Sequence, residues 1–171
     1  MNFNDYFLYD GKNIIWKERG LDKFKTGNAC NTWNTKFNGK VAGSINKSNG
    51  YLRVAINSKS YLVHRIVWEM NNGKIPDGMQ IDHINHDRTD NRLCNMRLVT
   101  GKVNAYNQSL RKNNTSGVCG VSWDSKRKKW VANIKVNGKF VNLGRFDDRE
   151  SAAIARASAE NEYGFHINHG I

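Results

Sequence analysis

Residues 108–116, Gln-Ser-Leu-Arg-Lys-Asn-Asn-Thr-Ser, are almost wholly polar and offer nothing to bury. A hydrophobic core cannot run through such a stretch, so a chain of 171 residues is expected to fold as two small modules joined there. Before it, residues 1–48 mix aromatic and polar positions without a clear period, and Trp16, Phe24 and Trp33 are spaced like packing anchors of an irregular accessory region. Residues 49–110 form a second segment. Leu52, Val54 and Ile56 alternate, the polar run Asn57-Ser58-Lys59-Ser60 interrupts, and Leu62 follows, which reads as a β-hairpin. A short helix over about 65–72 is expected next, with Ile66, Val67 and Met70 on its buried side and Gly73 then Pro76-Asp77-Gly78 ending it. Beyond the polar stretch, within residues 115–171, Trp130, Ala132, Ile134 and Val136 alternate with Val131, Asn133 and Lys135. Asn137-Gly138 supplies the positive-φ pair of a tight turn, and Val141 and Leu143 continue the return strand. Asp147 with Glu150 resembles a capping box ahead of an alanine-rich helix. The class is α+β, and the last module is three short antiparallel strands plus one helix.

Lys and Arg number 27 against 15 Asp and Glu, a formal charge of +12 that favours a polyanionic partner. No apolar run is long enough to span a bilayer, so no membrane partner is expected. Met1-Asn2-Phe3-Asn4-Asp5 lacks the basic-then-apolar order of a secretion signal. The expectation is a soluble, intracellular protein. Cys30, Cys94 and Cys119 are isolated and read as buried free thiols, with neither a disulfide framework nor a zinc ribbon.

The densest polar segment carries the chemistry. Ile81-Asp82-His83-Ile84-Asn85-His86-Asp87 is followed by Asp90-Asn91-Arg92-Leu93, by Asn95-Met96-Arg97-Leu98-Val99-Thr100, and by Lys102-Val103-Asn104. With Val63-His64-Arg65 upstream, this order resembles the HNH nucleases over roughly residues 64–107. Gly43-Ser44-Ile45-Asn46 and Gly50-Tyr51-Leu52 resemble the leading region of phage-encoded members. The resemblance implies a compact ββα-metal core, a hairpin followed by a helix, that hydrolyses phosphodiester bonds in double-stranded DNA. Such hydrolysis needs a nucleophilic water, counter-charge for the pentavalent phosphorus and help for the leaving 3′-oxygen. A neutral imidazole can take the water's proton, which suits His83 as general base. Asp82 offers a hard oxygen to one divalent cation, Mg²⁺ or Mn²⁺, and neighbouring strand residues point to opposite sides, so the two side chains do not compete. The resemblance assigns Asn95 to bracing the loop that aims His83, and Asn104 to the second metal position, with Thr100 capping its helix. Many HNH proteins end the motif with His. Asn104 departs from that pattern, which disfavours tight zinc binding and favours a hard metal with several waters. Asn107, one turn further on, is the alternative ligand if the helix register is shifted. His64 either touches a phosphate or the leaving oxygen, or is a packed histidine on an apolar strand. His86 reads as a solvated loop residue, and His166 and His169 as part of a tail.

From residue 116 to 164 the chain resembles the APETALA-type DNA-binding domain of plant ethylene-response factors, through Gly120-Val121, Trp123, Lys129-Trp130, Ala132, Ile134, Gly138-Lys139, Leu143-Gly144, Phe146, Asp147 and Ala152-Ala153. In that family the sheet lies in the major groove and the helix braces its back. Alternation then selects Ser122, Asn133, Lys135, Phe140 and Asn142 for the reading face, opposite Val121, Ala132, Ile134, Val141 and Leu143. The plant readers are rich in Arg and Trp at such positions, so a different target sequence is implied here. Arg127, Lys128 and Lys129, with Lys126, are expected at phosphates. Together these readings describe a monomeric, site-directed nicking enzyme of the homing type, acting in the cytoplasm of a phage-infected bacterium. The alternatives are a non-catalytic DNA-binding regulator that keeps an HNH scaffold, and an RNA-binding basic protein, which rests on charge alone.

Overall fold

In the computed structural model, residues 1–107 and 110–170 are described, and the chain divides into two compact units, Met1–Val99 and Thr100–Ile171. Gln108 and Ser109 of the polar stretch lie outside the described residues. The division therefore falls ahead of the stretch the sequence suggests as the boundary.

The first unit begins with a hairpin of β1 (Phe7–Tyr9) and β2 (Ile14–Trp16), followed by α1 (Gly27–Phe37), whose N-cap Thr26 accepts the Ala29 amide through its side chain. β3 (Ser44–Ile45), β4 (Leu52–Ile56) and β5 (Lys59–Leu62) form an antiparallel sheet, and α2 (Val63–Asn72) leaves it without a loop. Val63, Ile66 and Val67 lie on one side of α2 and are fully enclosed, and Gly73 ends the helix at φ 80°. β6 (Met79–His83) and β7 (Met96–Thr100) make a separate two-stranded sheet. Phe3, Phe7, Ile14 and Trp16 share one core with Val54, Ile56, Ile66, Ile81 and Met96. Residues 1–48 are thus part of the same hydrophobic body as the hairpins that follow. Each fully buried Ile or Val in it contributes roughly 1.5–3 kcal/mol relative to exposure. Arg19 seals one side of this body, its guanidinium 4.1 Å from the centre of the Trp33 ring and 4.7 Å from that of Trp16.

The second unit opens with α3 (Gly101–Ala105), capped by Thr100 through the Val103 amide. β8 (Val121–Asp124), β9 (Lys129–Val136) and β10 (Lys139–Phe146) form the expected antiparallel meander, order β10-β9-β8, and α4 (Arg149–Glu162) packs on it. Asn137 and Gly138 turn at φ 52° and 81°. Ala132 and Ala152 are wholly buried, so the small side chains set a close approach of helix to sheet.

Four expectations are corrected here. The end of the polar stretch is folded into this unit: Ser116 Oγ donates to the Val121 carbonyl at 2.7 Å, and Asn114 accepts the Gly117 amide at 2.7 Å. Polar side chains that cannot form a core instead satisfy the backbone entering β8. The cap of α4 is Asp148, which accepts the Ser151 amide at 2.7 Å, one residue later than the sequence pattern suggests. His169 is packed rather than in a loose tail. It meets Phe165 edge-on at 4.9 Å and the buried Arg156 at 3.1 Å, while Phe165 stacks on Tyr106 at 4.1 Å. Of the thiols, only Cys30 is buried, and Cys94 is exposed.

Candidate active site

The C-terminal end of β6 holds the chemistry-bearing pair, since Asp82 and His83 are both buried and each has its own neighbour. Asp82 Oδ2 accepts from Arg97 Nε on β7 at 2.9 Å and forms an ion pair with its Nη2 at 2.8 Å. Arg97 fixes the carboxylate and cancels part of its charge, so any cation at Asp82 shares it with this guanidinium. His83 Nε2 lies 3.0 Å from Oδ1 of Asn91, a side chain only 1% exposed. An amide oxygen can only accept, so this contact favours the tautomer with the proton on Nε2 and leaves Nδ1 as the acceptor nitrogen.

Asn95 closes the intervening loop. Its Oδ1 accepts the Asn85 amide at 3.0 Å, its Nδ2 donates to the Asp90 carbonyl at 2.8 Å, and its carbonyl accepts the Ile84 amide at 2.9 Å. Inside that loop Asp90 accepts from Arg92 and from Asn85, and the Arg92 bond holds its carboxyl down at about 2. Fixing both ends of the loop in this way fixes Asn91, and Asn91 in turn fixes His83.

His64 belongs to the first turn of α2 rather than to a strand, because the helix starts directly at Val63. Its ring meets that of His83 edge-on at 5.3 Å, and Tyr51 lies 4.9 Å from one and 5.8 Å from the other. It is buried, and its Nδ1 has no hydrogen-bond partner among the described residues. Burial, with His83 and Arg65 adding to it, pushes the His64 imidazole down to about 3. It is neutral near pH 7 and can exchange a hydrogen bond there but offers no positive charge to a phosphate.

Asn104 is half-buried on α3 in the second unit, and its carbonyl accepts the amide of the buried Asn107 at 3.1 Å. The Asp82 carboxylate and the Asn104 amide are each a hard oxygen donor of the type a divalent cation takes. Among the described residues no group of three His, Cys, Asp or Glu side chains is placed to hold a metal.

In the second unit, Asn133 pairs with Asn142 and Lys135 with Phe140 across β9 and β10, and Ser122 stands opposite Val131. A bulge between Asn142 and Gly144 shifts the alternation by one, which brings Arg145 opposite Val131 on the same face. Period-two counting misses Arg145, although a glycine inside a strand is the available signal. Asn142 is partly committed, its Oδ1 accepting the Gly144 amide at 2.8 Å. In the β8–β9 turn Arg127 pairs with Asp124 at 3.2 Å and Lys129 with Asp147, whereas Lys128 is exposed.

The paired strands β6 and β7, with a braced histidine at the end of the first, give the hairpin part of the unit that the resemblance to HNH proteins implies. Residues 61–106 match the HNH endonuclease family. Over 90 residues the chain is 40% identical to Protein 3.8 of Escherichia phage T7, covering 53% of this chain and 74% of that protein. It is 31% identical over 104 residues to an uncharacterized HNH endonuclease, L560, of Acanthamoeba polyphaga mimivirus, of which it spans 53%. A 41-residue match at 49% identity joins 20% of the chain to 41% of the uncharacterized gene 5.3 protein of Enterobacteria phage T3. No solved structure matches. The chain belongs to the HNH endonuclease family, and that membership points to a nuclease acting on DNA.

Proposed function

We propose that this protein is a divalent-metal-dependent endonuclease that nicks double-stranded DNA, one strand per encounter, with the second unit supplying affinity and register. The buried Asn91–His83 hydrogen bond carries the reading, because it presents a proton-accepting Nδ1 from a rigid strand end. In the step, the water oxygen attacks phosphorus, its proton passes to His83 Nδ1, and the P–O3′ bond breaks with the 3′-oxygen taking a proton from solvent. Asp82 and Asn104 are the residues that would ligate a divalent cation, and such an ion would supply counter-charge at the phosphorus and the leaving oxygen. Asn95 keeps the loop closed around Asn91, and His64 remains a neutral hydrogen-bonding neighbour. The exposed face of β8–β10 bears Ser122, Asn133, Lys135, Asn142 and Arg145 together with the exposed Phe140, a mainly polar and cationic set suited to a DNA groove, with Lys126 and Lys128 beside it for phosphates. That supports the APETALA-type reading of this unit.

Incubation of the full chain with supercoiled plasmid, with Mg²⁺ or Mn²⁺ and with EDTA, tests the proposal by the appearance of open circles. His83→Ala is expected to slow nicking at least about 100-fold with little loss of DNA affinity. Asn91→Asp, which still accepts from Nε2 and adds charge beside the ring, should retain activity and move the acid limb of the pH–rate profile upward. Near wild-type cutting by His83→Ala, or DNA binding by the wild type without metal-dependent nicking, would reject the enzyme; the second outcome is what a non-catalytic regulator gives.

A further inference from the structure

We infer that Arg88 is the residue by which this site grips the backbone phosphate at the point of attack, an inference that rests on the nuclease reading. Arg88 stands at the apex of the loop that Asn95 closes, and it is exposed. Its Nη1 donates to the Asn49 carbonyl at 2.7 Å, and its guanidinium lies 5.0 Å from the centre of the Tyr51 ring. That ring is the neighbour of both His64 and His83. The cation is thereby tied to the same aromatic group as the proposed base.

Charge accounting in the loop singles it out. Arg92 is spent on Asp90 and Arg97 on Asp82, while Asp87 accepts from Thr89 through both its amide and its hydroxyl. Arg88 forms no ion pair among the described residues, and one bond to a carbonyl leaves the rest of its five N–H donors for a ligand. His64, being neutral, cannot take that part. Exposed arginines usually lose a good deal of side-chain freedom when they engage a ligand. Here the guanidinium is already held, by the Asn49 carbonyl and by the face of the Tyr51 ring, so less is lost. A planar fork of donors matches two non-bridging phosphate oxygens, and its attraction grows as charge builds on them in the transition state.

The test uses the full chain and separates contact from catalysis. Binding to a short random duplex is measured across a salt series in EDTA, and plasmid nicking is measured in Mg²⁺, for wild type, Arg88→Met, Arg88→Gln and Lys25→Ala. Met keeps an unbranched side chain without the charge and Gln keeps a donor for Asn49, so loss of fold in one, checked by melting, leaves the other to report. Both Arg88 variants are expected to make the log–log salt slope shallower by about 0.9, the loss of one phosphate contact. They should also slow nicking by about 100-fold or more, the size of losing a donor aimed at developing charge. Lys25→Ala should leave the slope unchanged. Wild-type slope and rate in both Arg88 variants overturn the assignment while leaving the nuclease reading in place. An equal drop for Lys25→Ala also overturns it, since bulk charge would then explain the effect. If the wild type binds but never nicks, the nuclease reading fails separately, and the salt slope alone then upholds or overturns Arg88 as a phosphate contact.

Discussion

A single buried imidazole shows how strongly environment redirects a side chain. His64 is enclosed beside His83 and Arg65, and its protonation is displaced from the usual value near 6.5 to about 3. The unfolded chain therefore binds a proton between those values that the folded chain refuses, so stability rises with pH through this window and is lost as pH falls below about 6.5. By pH 4 the penalty is on the order of 3 kcal/mol. Urea unfolding of the wild type from pH 7 to pH 4 should show this decline, and His64→Phe should flatten it. Asp90 does not confuse the window: its carboxyl is held at about 2, so its contribution is lost only as pH falls below the ordinary carboxylate range. An equal pH slope in the Phe variant would place the acid sensitivity elsewhere.

At the scale of elements, the start of α4 is set by which of two adjacent acidic residues makes the capping hydrogen bond. Asp147 and Asp148 both precede α4, yet Asp148 accepts the Ser151 amide and also its hydroxyl, at 2.8 Å, whereas Asp147 pairs with Lys129 at the surface. Asp148→Ala should cost about 1 kcal/mol of the second unit's stability, the usual value of an N-cap. Asp147→Ala should cost little, because an exposed ion pair contributes little. Thermal unfolding followed by helix signal distinguishes the two, and a larger loss for Asp147 would restore the cap the sequence pattern suggests. The bulge in β10 acts at the same scale. One extra residue re-aims Arg145 onto the face that carries Asn133, and so changes what that face can contact.

For the molecule as a whole, the two hydrophobic clusters are separate, one of aromatic and aliphatic residues within the first unit, the other built on Val121, Ala132 and Ala152 in the second. The second is small and relies on supports outside the sheet. Arg156 is one: it is 3% exposed, donates to the Asn133 carbonyl at 3.1 Å, pairs with Glu160 at 2.9 Å and lies over Phe165. Phe165 in turn stacks on Tyr106, whose carbonyl accepts the His166 amide at 3.2 Å, so the end of the chain holds the segment after α3. Phe165→Ala should speed amide exchange at Tyr106 and Asn107 by about tenfold or more, while the core amides of Ile66 and Val67 stay as slow as before. Unchanged exchange at Tyr106 would show that the stacked ring does not support this segment.

The α+β class, the hairpin over β4 and β5, the three-stranded meander with its Asn137-Gly138 turn, and the Asp82 to Asn104 string were legible in the sequence. Each is written in short-range periods, turn chemistry or fixed spacing, which a linear reading can follow. What tertiary structure alone decided was partnership. Asn91 was visible in the string but without a role, because its partner His83 is reached only when the loop closes on Asn95. The Arg97 bond to Asp82 requires β7 to lie against β6, and the Arg88 contact with Tyr51 requires two distant loops to meet. The polar stretch at 108–116 reads as a connector and His166 and His169 as part of a tail, because polarity predicts exposure only when the backbone has no need of those side chains. In the described part of both, Ser116, Asn114 and His169 meet groups distant in sequence or unpaired in the backbone, and burial follows from those bonds rather than from hydrophobicity.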